Sequence, residues 1–198
     1  MNGYILTTTK NTYGWVEYDN DISLDYKEFL KGERLLYKDP PLFYNIPKSS
    51  NLKKIRFAVL LESTGPELVC RQFKEILETQ VRDIQFFDVD LFCGNEKIDG
   101  FYAINVPHLI KCIDLENSEF RLMNFDRDNP DYMFYYMKLR KNLFDNNKAD
   151  IVRCEEMHRS IVVSEKIKAA LFAAGLKGLQ FSDSIDMTPK ERTIYEKI

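Results

Sequence analysis

The sequence contains little histidine and lacks the common motifs of nucleotide-binding and nucleophilic enzymes. Two histidines, His108 and His158, are present among 198 residues. Neither GxGxxG nor GxxxxGK followed by Ser or Thr occurs, and these are the glycine-rich patterns that cradle phosphate groups. The strand–turn–helix motif that presents a nucleophilic serine is also missing. We therefore expect a protein that is not an enzyme and that binds no cofactor.

The chain also lacks a long apolar run and an export signal. No segment approaches the roughly 18 apolar residues that a membrane-spanning helix needs. The opening residues MNGYILTTTK do not combine a charged segment with an apolar one, as a signal peptide does. We expect a cytoplasmic protein that does not contact a membrane, with reduced thiols, since no CxxC pair occurs. The cysteines are Cys70, Cys93, Cys112 and Cys154.

An excess of positive charge is missing too. The chain has 28 Lys and Arg against 31 Asp and Glu, which gives a net charge of −3. A nucleic-acid-binding domain is usually clearly basic, so no nucleic-acid partner is expected. Aromatic residues, by contrast, are abundant, with 14 Phe and 11 Tyr. This abundance excludes a disordered chain, and the mild acidity would suit a basic partner.

The order of predicted elements favours an α+β fold with a mainly antiparallel sheet and helices packed on one face. Residues 1–22 are predicted to form a strand pair, and 84–115 a three-stranded meander. The predicted strands are 55–61, 84–92, 101–106, 109–115, 150–154, 161–163 and 178–181. The predicted helices are 23–31 with Ser23 as N-cap, 66–79 with a Thr64–Glu67 capping box, 131–144, one from Ser164 to Gly175, and a terminal helix from Thr188.

We expect a single domain over residues 1–198. Three prolines fall within 39–47 and forbid a regular helix there. This segment is predicted to be a loop. It would mark the boundary if the chain is divided into an N-terminal subregion, 1–50, and a body, 51–198.

Two clusters contain residue types that bind metals, but neither has the pattern of a metal site. Cys154, Glu155, Glu156 and His158 lie close in sequence, yet a zinc site would need further ligands at a regular spacing. Residues 126–131, DRDNPD, resemble the start of a calcium loop, which requires Gly at its sixth position and Glu at its twelfth. Asp131 and Met137 occupy those positions. No metal is therefore expected.

Two aspartates interrupt an otherwise apolar predicted strand. Asp88 and Asp90 are two residues apart, so their side chains point to the same side of the strand. The intervening Val89, with Phe87 and Leu91, would point to the other side. A pair of carboxylates can perform acid–base chemistry, but a solvent-exposed face is the favoured interpretation. A wet, negative face would also suit the docking of a basic protein.

The order of several segments resembles a family of bacterial immunity proteins for polymorphic toxins, the eleventh catalogued and formerly a domain of unknown function. The segments are a strand ending in FFDV, then GFYAINV, IKCIDLENSEF, RSIVVSEKIKAAL and GLKGLQF, over about residues 55–182. Members often carry an arginine on the strand before IVVS, and Arg153 stands at this place. The other positions that carry the resemblance are Tyr102, Asn105, Val106, Ile113, Asp114, Ser118, 161–164, Gly178 and Phe181.

The resemblance implies a non-catalytic inhibitor that binds the C-terminal domain of a cognate toxin in the producing cell. No catalytic residue can be transferred from the family. We expect charge to speed association and tyrosines to anchor the complex. The candidate partner-binding residues are Asp88, Asp90, Asp126, Asp128, Asp131, Glu155 and Glu156, with Tyr132 and Tyr135 as anchors. The alternative is a small hydrolase or nucleotide-modifying enzyme that uses Asp88 and Asp90 or the Cys154–His158 cluster.

Overall fold

The computed structural model describes residues 2–9, 16–36, 41–47, 52–124, 126, 130–145, 147–188 and 193–198. Strands dominate this part of the chain. They are β1 Gly3–Thr8, β2 Glu17–Tyr18, β3 Leu42–Ile46, β4 Leu60–Leu61, β5 Leu68–Cys70, β6 Gln85–Cys93, β7 Glu96–Lys97, β8 Phe101–Asn105, β9 Leu109–Ile110, β10 Glu119–Leu122, β11 Tyr132–Lys138, β12 Ile151–Cys154, β13 Ile161–Ser164, β14 Leu179–Ser182, β15 Ser184–Asp186 and β16 Glu196–Lys197. The helices are α1 Leu52–Arg56, α2 Arg71–Gln80 and α3 Glu165–Ala173, with 3₁₀ turns at Tyr26–Leu30 and Leu115–Asn117.

The strands form three sheets. The first sheet has the order β16-β14-β1-β13-β12-β9, and the second has the order β10-β11-β15. The third runs β2-β3-β6-β8-β5-β4, with β7 also paired to β6. Among the strands of the described residues, β9 with β12 and β3 with β6 pair in parallel, and the other strand pairs are antiparallel. The predicted α+β class with mainly antiparallel pairing is confirmed.

A central hydrophobic cluster joins the first sheet, the third sheet and two helices. The strand β13 contributes Ile161 and Val163 to it, whereas the intervening Val162 packs into a different cluster with residues of the second sheet. Phe73 of α2 and Leu171 of α3 are fully buried in the central cluster. The first sheet is therefore covered on both faces, which explains the continuous apolar run IVV.

The helices divide between clusters. α2 and α3 contact each other, while Ile55 of α1 is buried in a third cluster on the far side of the third sheet. The placement of all helices on one face stays a prediction. No helix in the described ranges has the length and apolar character that crossing a bilayer would demand.

The C-terminal half follows the sequence pattern closely. Ser164 caps α3, because its hydroxyl accepts a hydrogen bond from the Ile167 amide at 3.4 Å. Gly175 follows the helix with a φ of 66°, as a helix-ending glycine does. The strands predicted at 150–154, 161–163 and 178–181 are confirmed as β12, β13 and β14. The predicted pairing of 84–92 with 101–106 is confirmed by the antiparallel β6 and β8.

The helix predicted at 131–144 is wrong. Residues 132–138 form the strand β11, which pairs with β10 and β15. The helix prediction relied on Asp131 or Asn129 as a cap and on a following segment that is rich in Tyr and Met. Aromatic side chains favour a pleated strand, and here Met133 and Tyr135 are exposed while Phe134 between them is buried.

Two predictions in the region 55–79 are also corrected. The strand predicted at 55–61 is reduced to Leu60–Leu61, because 52–56 form α1. The helix predicted at 66–79 begins at Arg71, since 68–70 pair with both β4 and β8. Thr64 accepts a hydrogen bond from the Tyr18 amide at 2.8 Å instead of closing a capping box. Tertiary pairing has thus overridden the local capping signal.

The predicted loop at 39–47 contains a strand. Residues 42–46 form β3 beside β6, with Pro41 and Pro47 just outside the strand, where no ladder hydrogen bond is lost. The predicted meander is wrong as well. Only 109–110 of the segment 109–115 form a strand, and this strand joins β12 in the first sheet.

The N-terminal strands exist but do not pair with each other. β1 lies between β13 and β14, whereas β2 pairs with β3. The helix predicted at 23–31 is a 3₁₀ turn capped by Asp25, and Ser23 instead accepts from the Phe43 amide. The start of the predicted terminal helix, 189–192, lies outside the described residues, and 196–197 form β16.

Candidate functional site

An open cavity of about 630 Å³ lies where β12 ends, and we call it the β12 pocket. The turn 155–158 after β12, the start of β11 and the residues just after β9 and β11 build its walls. It thereby brings together four of the predicted partner-binding residues from two distant segments. Its lining residues are Lys111, Leu115, Pro130, Asp131, Tyr132, Arg140, Glu155, Glu156, Met157 and His158.

The buried carboxylate of Glu156 connects the chain segments that form the floor of this pocket. Its side chain is 5% exposed and lies 3.8 Å from the Arg140 guanidinium. The carboxylate accepts hydrogen bonds from the backbone amides of Cys112 at 2.9 Å and Ile113 at 3.3 Å, and from the Cys154 thiol at 3.3 Å. A buried carboxylate with this many donors is well compensated. Glu156 therefore fixes the turn after β12 against the chain that follows β9, rather than presenting its charge to a partner.

The exposed charges of the pocket are mixed. Glu155 lies 3.9 Å from the Lys111 ammonium, and both side chains are largely in solvent, so this pair is weak. Asp131 is exposed, and among the described residues no ion pair of its carboxylate is found. Three carboxylates thus face two permanent cations, Lys111 and Arg140, which leaves the pocket slightly acidic.

Tyr132 and Tyr135 lie in different surroundings on β11. Tyr132 lines the pocket and stacks on Phe134 at 5.5 Å, with the edge of Phe120 at 5.2 Å. Tyr135 lies on the opposite, outer face of the second sheet, where it is 40% exposed. Met133 is 39% exposed on the same face. We call the surface of Met133 and Tyr135 the outer methionine face.

The remaining predicted residues do not join the pocket. Asp88 is exposed on β6, and Asp90 forms an ion pair of 2.6 Å with Lys97 of β7. Their side chains share one side of the strand, as predicted, because Phe87, Val89 and Leu91 pack into the cluster on the other side. Asp126 is exposed, and Asp128 lies outside the described residues.

Among the described contacts, the residues of the Cys154–His158 cluster do not form a catalytic arrangement, as the enzyme alternative would require. The thiol of Cys154 donates to Glu156, while His158 contributes its backbone carbonyl to the Arg153 guanidinium at 2.7 Å. A hydrogen bond with Cys154, together with burial, raises the pKa of the Cys112 thiol, so it stays protonated. Across the described ranges, no three His, Cys, Asp or Glu side chains lie close enough to hold a metal ion.

Sequence reasoning missed Lys111, Arg140 and Glu67. The first two are isolated cations at the ends of strands, where no motif distinguishes them. Glu67 lies 3.5 Å from Arg153, whose side chain is 1% exposed. Arg153 was marked by the family resemblance, but its acidic partner precedes it by more than eighty residues, so no local pattern could reveal the pair.

A family model described as the immunity protein family (Imm11) matches residues 8–186. The match begins well before residue 55, where the resemblance noted from the sequence begins, and so it includes most of the first fifty residues. No curated protein matches the chain.

Proposed function

The chain belongs to the Imm11 family of immunity proteins, and we propose that it binds and neutralises the C-terminal domain of a cognate bacterial toxin in the cytoplasm of the producing cell. The family match, which covers nearly the whole chain, is the observation that carries this proposal. An immunity function favours action by binding rather than by catalysis. The contacts of Cys154 and His158, which do not pair with each other, agree with this reading.

The β12 pocket is the proposed binding site for a basic surface of the toxin domain. Asp131 and Glu155 are exposed at its rim, and neither is held by a short ion pair among the described residues. Such groups attract a basic surface from a distance and raise the association rate. Glu156 contributes differently, because its hydrogen bonds keep the rim in place before the partner arrives. Preorganisation of this kind lowers the entropic cost of binding.

The outer methionine face is the proposed apolar part of the interface. Tyrosine and methionine are enriched in protein interfaces, and methionine adapts its shape to a partner. Tyr135 is the proposed anchor, since it is 40% exposed on this face together with Met133. Tyr132 is proposed to contact the partner only through the part of its ring that faces the pocket.

The experiment is to combine the chain with the C-terminal domain of the toxin encoded beside its gene. We expect co-expression to restore growth of cells that express the toxin domain. We also expect a stoichiometric complex in size-exclusion chromatography, with nanomolar affinity by calorimetry, or about −12 kcal/mol. Failure to protect cells and to form a complex with any neighbouring toxin domain would contradict the proposal.

A further inference from the structure

The strand β10 lies at one end of the second sheet, and no strand among the described residues pairs with its outer edge. It has four residues, Glu119–Leu122. The other strands at the ends of the described sheets have two or three residues. Short edge strands protect a protein from joining its sheets to those of other chains, because they present few unpaired backbone groups. The strand β10 is thus the longest strand at the end of a described sheet.

The backbone groups of Phe120 and Leu122 point toward this open edge. The amide of Met123, just after the strand, donates to the carbonyl of Asp131 at 2.8 Å, which continues the antiparallel register of β10 with β11. In an antiparallel pair, successive residues turn their backbone groups alternately toward and away from the partner strand. Arg121 therefore has the direction of Met123, whereas Phe120 and Leu122 turn their N–H and C=O groups outward.

The usual protections of an edge strand are missing from β10. It contains neither proline nor lysine. The bulge in this ladder lies in β11, where Tyr135 is the extra residue, so β10 itself stays regular. Leu122 is 54% exposed, and Met123 is 50% exposed. An open edge with exposed apolar side chains and no such protection is a site where another strand adds.

The two charges of β10 indicate that this strand comes from a second copy of the chain. Glu119 and Arg121 are two residues apart, so their side chains lie on the same face of β10. When two copies of β10 pair antiparallel around Phe120, each Arg121 lies opposite Glu119 of the other copy. Cross-strand pairs of opposite charge stabilise a sheet, and like charges destabilise it. A pairing centred on Glu119 or on Arg121 would oppose two like charges, so the charges favour Phe120 as the centre.

We propose that two copies of the chain join edge to edge through β10, in an antiparallel pairing centred on Phe120, so that their second sheets form one continuous sheet. Each Phe120 exchanges two backbone hydrogen bonds with Phe120 of the other copy, as its outward groups allow. The interface is isologous, because the same surface meets itself. A contact between two short edges is smaller than a standard protein interface, so the dimer is weak and depends on concentration.

The test is sedimentation equilibrium of the full chain at low salt, from about 5 to about 500 µM, because a weak dimer becomes populated as the concentration rises. We expect an equilibrium between monomer and dimer. Hydrogen exchange, measured at the two ends of this range, locates the contact. We expect slower exchange of the Phe120 and Leu122 amides at the high concentration, because these amides become hydrogen-bonded in the dimer.

Arg121→Glu tests the pairing of charges. It opposes two carboxylates at both symmetric positions, so the dissociation constant of the dimer should rise by at least about tenfold. The double variant Glu119→Arg/Arg121→Glu exchanges the two charges and should restore the dissociation constant to within about threefold of the wild-type value. Arg82→Glu is the matched control, because it makes the same change of charge at an exposed residue outside the second sheet. Urea denaturation shows whether each variant is folded.

The proposal would be overturned if the chain stays monomeric at every concentration, or if a dimer forms without slower exchange of the Phe120 and Leu122 amides. An equal loss of dimer in Arg121→Glu and Arg82→Glu, or a folded double variant that stays monomeric, would also contradict it. Slower exchange of these amides only after addition of the toxin domain would assign the edge to a strand of the toxin instead. The proposal does not depend on toxin binding, so failure to find a toxin partner leaves it intact.

Discussion

The first and second sheets use apolar strands in opposite ways. In the first sheet, Ile161, Val162 and Val163 of β13 are all buried, on alternating faces, because core clusters cover both sides. In the second sheet, Phe134 of β11 is buried, but its neighbours Met133 and Tyr135 face outward. Both faces of the first sheet are thus buried in the core of the protein. The second sheet leaves some of its apolar side chains exposed to solvent. An exposed apolar surface of this kind often marks a binding site for another protein.

The largest expected effect concerns the core that the first sheet shares with α2. Phe73→Ala empties a fully buried site in the central cluster and should lower the free energy of unfolding by about 3–5 kcal/mol. Phe172→Ala, on the half-exposed side of α3, is the matched control and should cost much less. Urea denaturation of both variants checks this. Equal losses would mean that the central cluster is not the main source of stability.

The second largest effect is expected from removing the Glu156 carboxylate, whose contacts stabilise the floor of the β12 pocket. Glu156→Ala leaves the amides of Cys112 and Ile113 without their acceptor and the Arg140 guanidinium without its ion-pair partner. We expect the free energy of unfolding to fall by about 1.5–3 kcal/mol, as for hydrogen bonds to a charged group.

Glu155→Ala is the control for Glu156→Ala. It removes the neighbouring carboxylate, which makes only a long, exposed contact with Lys111, and should change the stability by less than about 1 kcal/mol. The assignment of Glu156 as a structural residue would fail if the two variants unfolded at the same urea concentration.

The outer methionine face should matter for binding and little for folding. Tyr135→Ala should weaken toxin binding by about 2 kcal/mol or more if Tyr135 is an anchor. The free energy of unfolding should change by roughly 0.5 kcal/mol at most, because the side chain lies outside the core. Calorimetry and urea denaturation measure the two quantities. A variant that loses stability but keeps its affinity would assign Tyr135 to the fold.

A smaller effect is expected from the rim of the β12 pocket, mainly on the rate of association. The double variant Asp131→Lys/Glu155→Lys should bind the toxin domain about tenfold more slowly at low salt, with a smaller difference at high salt. Glu75→Lys/Glu78→Lys on α2 is the control for a general effect of charge, because it reverses two exposed carboxylates that do not line the pocket. Stopped-flow kinetics measures the association rate of the double variant and of the control. An unchanged rate in the double variant, or an equal decrease in the control, would remove the pocket from the interface.

The two sheets also differ in how far the sequence predicts them. Ser164, Gly175 and the run IVV are local signals, and the structure uses each of them as predicted. The aromatic segment 132–138 carries two signals at once, a helix cap at Asp131 and a strand-forming composition, and the pairing with β10 and β15 decides between them. Where tertiary contacts choose between local preferences, the sequence alone is ambiguous.

The β12 pocket shows the same limit for a site. Charge and residue type were enough to mark Asp131, Tyr132 and Glu155 as candidates. Their convergence depends on the parallel pairing of β9 with β12 and on the position of β11, contacts between segments far apart in the chain. The sequence also gave no sign that Glu156 would turn inward while Glu155, the adjacent residue, stays exposed.

The smallest expected effect is a pH dependence at the edge of the first sheet, where β16 pairs with β14. The Lys168 ammonium lies 3.1 Å from Glu196 of β16 and 3.2 Å from Glu165. Burial alone would lower the pKa of Lys168, but hydrogen bonds to these carboxylates outweigh it and raise the pKa. Since the pKa is higher in the folded state, this stabilisation is complete below the unfolded value of about 10.4 and is lost as the pH rises through the folded value.

Lys168→Met isolates this contribution. The stability difference between the wild-type chain and the variant should be constant from neutral pH to about pH 10 and should shrink at higher pH. Lys166→Met is the control, because Lys166 is half-exposed and pairs with Asp150, away from β16. Urea denaturation across this range gives the result. A difference that persists undiminished above the folded pKa would mean that Lys168 holds β16 by packing on Tyr4, whose ring centroid lies 3.7 Å from the ammonium, rather than by its charge.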